Sequence, residues 1–188
     1  MKRSAAIIVL ASLTIACGQK TEQQTAQQQS TTTPAPATKA PPRPAIRQSD
    51  ARVWIDAVSV AKGSSGSFKV HYFGVEPAKA MVVPLAVPTG IIVDSVSYAG
   101  GILEYIATRP VRIDNDNHFV LFTAIPTTEP DIPAKEGLLG TVYFSASTSA
   151  VSGDIEETFI PPGNYLTYVD TASTLVEPQF EPGKLTVQ

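Results

Sequence analysis

The stretch SFKVHYFG, residues 67–74, decides the fold. Phe68, Val70 and Tyr72 alternate with Lys69 and His71. A period of two puts the apolar side chains on one side of an extended strand and the charged ones on the other, whereas an amphipathic helix needs apolar residues three and four apart. The run LLGTVYFSA, residues 138–146, reads the same way, with Leu139, Thr141 and Tyr143 opposing Leu138, Val142 and Phe144. Working outward, strands are expected near Val53–Val60, Met81–Val87, Ile91–Tyr98, Leu103–Ala107, Val111–Ile113, His118–Ile125, Ile155–Ile160, Tyr165–Asp170 and Lys184–Val187. Between them lie turn-forming clusters at Gly63-Ser64-Ser65-Gly66, Asn115-Asp116-Asn117 and Pro161-Pro162-Gly163-Asn164. Pro84, inside MVVPLAV, marks an edge or a bulge, because proline donates no ladder hydrogen bond. No window carries a sustained 3.6-residue apolar period. Residues 51–188 therefore read as one all-β domain, an antiparallel β-sandwich, with Val70, Leu85, Val93, Val96, Leu121, Leu139, Val142 and Phe144 in or near its core.

Upstream the texture changes. Residues 18–50, GQKTEQQTAQQQSTTTPAPATKAPPRPAIRQSD, are rich in Gln, Thr, Ala and Pro, with Ile46 as their one sizeable apolar side chain. Such a segment buries too little surface to offset its ordering entropy, so a disordered linker is expected. The Pro34–Pro44 half should be stiffer and polyproline-like, the Gln-rich half a looser coil. A chain of that length typically reaches roughly 30 Å. A ligand for a proline-binding module is the functional alternative to a spacer.

Residues 1–17, MKRSAAIIVLASLTIAC, have the order of a secretory signal: Lys2 and Arg3, an apolar run from Ala5 to Ile15, then small residues. The run is too short for a stable membrane-spanning helix. Its end, Leu13-Thr14-Ile15-Ala16-Cys17, resembles a lipobox, with Leu13 one place further from the cysteine than is usual. That resemblance implies removal of residues 1–16 and acylation of Cys17, giving a bacterial lipoprotein. Cys17 is the only cysteine and occupies the position the motif requires, which favours this reading over an ordinary secretory signal. Acyl chains attach firmly because each buried CH₂ contributes about 0.8 kcal/mol. Gly18, where an Asp would signal inner-membrane retention, implies the outer membrane by resemblance to Gram-negative sorting patterns. The expected organisation is thus a signal peptide over 1–16, a lipidated Cys17 and linker over 17–50, and a domain over 51–188.

A net charge of −3 and a pI near 5.4 give no basic excess for nucleic acid. With no cysteine after Cys17, the domain has neither an internal disulfide nor a cysteine-based zinc site. Asp114-Asn115-Asp116-Asn117-His118 is the densest oxygen-ligand cluster, but a calcium loop needs glycine at its sixth position, and Phe119 stands there. It reads as a hairpin turn. Asp154, Glu156 and Glu157 suggest a glycosidase carboxylate pair, yet adjacent residues on a strand point to opposite faces, so an exposed acidic strand end is expected. His71 and His118 have no Cys, no near-spaced His and no nucleophile elbow, and read as surface strand residues. Trp54, Tyr72, Tyr98, Tyr105 and Tyr143 form either a sugar-stacking platform or, more commonly in a sandwich, core. No catalytic residue, metal ligand or cofactor is expected.

The order of the pieces resembles a cohesin-type domain, a jelly-roll sandwich related in fold to some carbohydrate-binding modules. The residues that carry this are VWIDAVSV, a Gly-Ser turn, FKVHYFGV, then MVVPLAVPTGIIVDSVSYAGG, IPAKEGLLGTVYFSAS and a closing PGKLTV, together spanning about residues 51–187. Val87-Pro88-Thr89 stands where the family has Asp-Pro. The resemblance implies binding rather than catalysis, with this chain as the receptor half of a pair. Two partner classes stay open: a protein held at the cell envelope, and a polysaccharide or cell-wall glycan.

Overall fold

The computed structural model of the chain describes residues 46–188. The expected signal peptide, Cys17 and nearly all of the expected linker lie outside the described residues. Among those described, twelve strands form and no helix. They are β1 (Arg47–Ile55), β2 (Val58–Val60), β3 (Ser65–Phe73), β4 (Ala78–Ala86), β5 (Ile91–Ser97), β6 (Val111–Asp114), β7 (Phe119–Ala124), β8 (Glu136–Ala146), β9 (Gly153–Glu157), β10 (Thr167–Asp170), β11 (Leu175–Glu181) and β12 (Gly183–Val187). One layer runs β10-β11-β1-β3-β8-β5 and the other β6-β7-β4-β9-β12-β2. β10 also pairs with β4 and so joins the layers along one seam. Pairings are antiparallel except β1 with β11 and β2 with β12, which are parallel.

The alternation of residues 67–74 survives intact: Phe68, Val70 and Tyr72 are buried, and Lys69 is exposed. Its partner strand does not keep strict alternation. Val70 faces Gly140 and His71 faces Leu138, so Leu139 is the extra residue of a bulge. That bulge flips the parity. Leu139 is buried with Val142 and Phe144, while Leu138 opposes His71 on the outer side, and the expected grouping of Leu138 with Val142 and Phe144 fails. Val70, Leu85, Val93, Leu139, Val142 and Phe144 are buried in the main core, and Val96 packs against it, partly buried. Leu121 is buried too, but in a second cluster with Phe119 and Ile160 on the outer side of β7.

Four further boundaries differ from expectation. β1 begins at Arg47, so residues 47–50 belong to the domain and not to the linker. They are held by contacts that composition does not reveal: Gln48 pairs with Glu177 in the β1–β11 ladder, and the Arg47 guanidinium donates to Glu76 and Asp170. The expected strand Val53–Val60 breaks after Ile55, where Asp56 donates its N–H to the Lys69 carbonyl before β2 starts. Leu103–Ala107 is a turn and not a strand. Leu103 and Ile106 are buried three apart, and the Arg109 guanidinium caps the turn by donating to the carbonyls of Leu103, Glu104 and Ile106. β11, with Glu177 and Pro178 inside it, has no apolar run to announce it. Its pairing with β1 shifts register between Gln48 and Arg52, the irregularity at which Pro178 is accommodated.

Pro84 lies in an inner strand and not at an edge. β4 pairs with β7 along one side; along the other its neighbour changes from β10, up to Val82, to β9, from Leu85. Pro84 occupies that gap and its carbonyl accepts from the Thr158 N–H, so the missing donor is absent where no strand requires it.

The loops at the end of the sandwich where β1 begins are fixed by side chains. The Glu129 carboxylate accepts from the backbone N–H groups of Ala107, Thr127 and Thr128. These donors hold its pKa down at about 2. A depressed folded-state pKa stabilises above the unfolded value, near 4.5, and the contribution is lost as the pH falls toward 2. The Ala107 and Thr127 amides should therefore keep slow hydrogen exchange and unchanged NMR shifts through pH 4.5 and lose both only as the pH approaches 2. Amides that shift with a midpoint at pH 4.5 or above would contradict this anchoring.

Candidate functional site

The outer side of β1-β3-β8-β5 is open and is built row by row from cross-strand neighbours. Ser65, Ser145 and Ile92 form one row; Ser67, Tyr143 and Ser95 the next; Lys69, Thr141 and Ser97 the third; Trp54, His71 and Leu138 the fourth. Ile92 and Tyr143 are each 45% exposed, two large apolar side chains on neighbouring strands. Hydroxyls surround them. Ser145 Oγ donates to Asp94 Oδ2 at 2.8 Å, and Ser65 Oγ lies 3.4 Å from Ser145 Oγ. Asp94 reaches this position because the β5–β8 register slips between Val93 and Ser95, making a second bulge. At the far side Trp54 stacks on His71 with centroids 5.2 Å apart and planes 10° apart, and His71 Nε2 is 3.0 Å from Asp56 Oδ2. Arg52 lies over the Phe73 ring and 3.7 Å from Glu181. An apolar centre ringed by hydroxyls and then by charges is the anatomy of a protein contact surface.

The outer side of the opposite layer is different. Residues 158–166 fold over it, with Ile160 on Phe119 and Leu121 and the Phe159 and Tyr165 rings stacked at 4.6 Å. Arg112 covers the other rim of Phe119, 4.9 Å from its centroid. What stays open there is a small cleft between Phe119, Phe159 and Pro161.

The remaining sequence candidates separate. The aromatic set does not make a platform: Tyr72 and Tyr98 are buried, and burial pushes both phenols up in pKa, Tyr98 to about 12. The Tyr105 hydroxyl donates to the carbonyls of Pro130 and Asp131 at the loop end, leaving Trp54 and Tyr143 on the open face. Asn115-Asp116-Asn117 is a hairpin turn between β6 and β7, in which Asp114 accepts from the Asn117 N–H and Nδ2. These bonds lower the Asp114 pKa. His71 is a strand residue as expected. His118, however, ends the turn at a φ of 55° and is not in a strand. Glu156 and Glu157 are both exposed, and both border one shallow groove with Glu177 and Phe180. Both lie at the end of β9, paired with Ala86 and Leu85 of β4, as an exposed acidic strand end. Among the described residues no group of three or more His, Cys, Asp or Glu is arranged to hold a metal ion. The Asp94–Ser145–Ser65 cluster was not among the sequence candidates. Its one sequence signal is the recurrence of Ser at outward strand positions.

No protein-family model matches the chain and no curated protein matches it. Solved structures do. The chain is similar to the seventh ScaB type I cohesin of Pseudobacteroides cellulosolvens, with 12% identity over 73% of this chain and 92% of that one and a TM-score of 0.61. It is similar to a non-cellulosomal cohesin of the archaeon Archaeoglobus fulgidus, with 14% identity over 74% and 92% and a TM-score of 0.59. The third ScaC cohesin of Acetivibrio cellulolyticus, solved in complex with the ScaB dockerin, shares 22% identity over 73% and 98%, with a TM-score of 0.59. The class these define is the all-β jelly-roll sandwich. Within it, residues 47–188 have a cohesin-like fold.

Proposed function

We propose that this chain is a non-catalytic binding module that holds a protein partner at the bacterial cell envelope, anchored there by lipid on Cys17. The observation that carries the binding part is the open outer face of β5-β8-β3. It has an apolar centre at Ile92 and Tyr143 on a fold whose solved relatives include cohesins in complex with dockerins. A protein partner is favoured over a polysaccharide because Tyr72 and Tyr98 are in the core and leave no aromatic strip for sugar stacking. Fold alone does not fix function, so the face and not the family is the basis. The lipobox-like end of the leader supports the anchor, and the Gln- and Pro-rich linker supports presentation away from the lipid surface. Tethering also raises the local concentration of the module for partners in the same compartment.

The anchor has its own test. Expressed as the full chain in a bacterial host, the protein should fractionate with membranes, begin at Cys17 and carry the mass of acyl chains. Cys17→Ser should move it to the soluble fraction. A wild-type chain that is soluble with an unmodified Cys17 would remove the anchor from the account and leave the binding face untouched.

A further inference from the structure

β10 separates β4 from β11 only over its own short length, meeting β11 at Leu175 and Val176. From Glu177 onward β11 pairs with β1 alone, and the seam on its other side faces the end of β9. That seam is a groove of about 400 Å³. Pro178, Phe180 and Pro182 give it an apolar lining, and Glu156, Glu157 and Glu177 give it negative charge. Gln48 borders it too, donating from Nε2 to Glu177 at 2.6 Å. Past Glu157 the groove continues as a hollow against the stacked Phe159 and Tyr165 rings. Toward β1 another hollow shares Gln48 and Gln179 with it and reaches Arg47, where the preceding chain joins the domain. In strand order this trough lies on the far side of β1 from Tyr143, so it is separate from the face proposed above.

We infer that residues 34–45 of this chain dock in the groove as a polyproline strap, leaving the Gln-rich half of the linker as the spacer. The charges are complementary. PAPATKAPPRPA carries Lys39 and Arg43 and no acid, against the three glutamates of the groove. The shape fits as well. Prolines pre-set the polyproline II conformation, which docks in aromatic-lined grooves with little further loss of chain entropy. The attachment point is also right. Arg43 is joined to Gln48 by roughly 15 Å of chain, at about 3.1 Å per residue, so it can turn back to the glutamates beside Gln48. A segment held this close by its own chain has an effective concentration on the order of millimolar, so a weak contact is enough to keep it docked.

Limited trypsin cleavage of the full chain carrying Cys17→Ser tests this, with no acyl group to drive association. The linker offers a bond after Lys39, in the strap, and one after Lys20, in the spacer; Pro44 blocks cleavage after Arg43. Cleavage follows the population of the open segment, so a strap docked ten times as often as open is cut about tenfold slower. Arg43→Glu sets a like charge against the glutamates and should raise the rate after Lys39 about tenfold, leaving the rate after Lys20 unchanged. Glu156→Gln combined with Glu157→Gln, both at exposed positions, should raise it about threefold, the scale of two exposed ion pairs. Cleavage after Lys39 that neither change accelerates overturns the inference, as does equal acceleration after Lys20. Protection that fades on dilution overturns it too, because the strap would then come from a second copy. Should the double glutamate variant not fold, Arg43→Glu decides alone, since it lies before β1 and leaves the domain intact.

Discussion

Phe144→Ala is expected to destabilise the domain by about 3–5 kcal/mol, the cost of emptying a large aromatic site in a packed core. Phe144 is fully buried, its ring 5.9 Å from that of Phe68, and its edge fills the space a Cβ on Gly66 would need, at 2.8 Å. For a domain of this size such a loss should lower the melting temperature by on the order of 10 °C. Tyr143→Ala, one residue away on the outer face, should cost within about 0.5 kcal/mol because the removed ring is half exposed. Paired thermal melts of the two variants check the inward assignment of β8. Similar shifts for both would contradict it.

That contrast also marks what the sequence makes legible. Where pairing is regular, as along Phe68, Val70 and Tyr72, side-chain alternation alone assigns the faces. The bulge at Leu139 escapes because it is a property of two strands together: nothing in LLGTVYF says that His71 will face Leu138 and skip a residue. β11 escapes because its stabilisation comes from lying between β1 and β10, and Glu177 and Pro178 hide it from any apolar count. The first residues of β1 escape for a related reason, since Arg47 is ordered by Glu76 and Asp170, distant in sequence. The candidate face was half legible. Tyr143 and Trp54 stand out as aromatics on strands, but their separation from Tyr72 and Tyr98 follows from which side of each strand is buried. Asp94 joins the hydroxyl cluster only through the β5 bulge.

The largest functional effect is expected from Tyr143→Asp. It places a carboxylate at the apolar centre of the face, between Ser67 and Ser95 and near Asp94, so a partner covering that centre must bury an unpaired charge. Central aromatic positions in protein interfaces cost about 2 kcal/mol or more when lost, and an affinity drop of about thirtyfold or greater is expected. Arg112→Gln, on the opposite layer, should leave affinity within about threefold, as exposed changes away from an interface do. Both substitutions are at exposed or half-exposed positions, and unchanged melting temperatures would separate lost binding from lost fold. Equal weakening by both would move the site off this face.

The central claim, a protein-binding module acting through the outer face of β5-β8-β3, is tested most directly by site-specific photocrosslinking in the native cells. A photoreactive phenylalanine analogue is placed at position 143 in one full-length chain and at position 112 in another. The account predicts a discrete protein adduct from position 143, absent from position 112 and competed away by excess unlabelled chain. Adducts of equal yield from both positions, or capture from position 143 of envelope polysaccharide in place of protein, would contradict it.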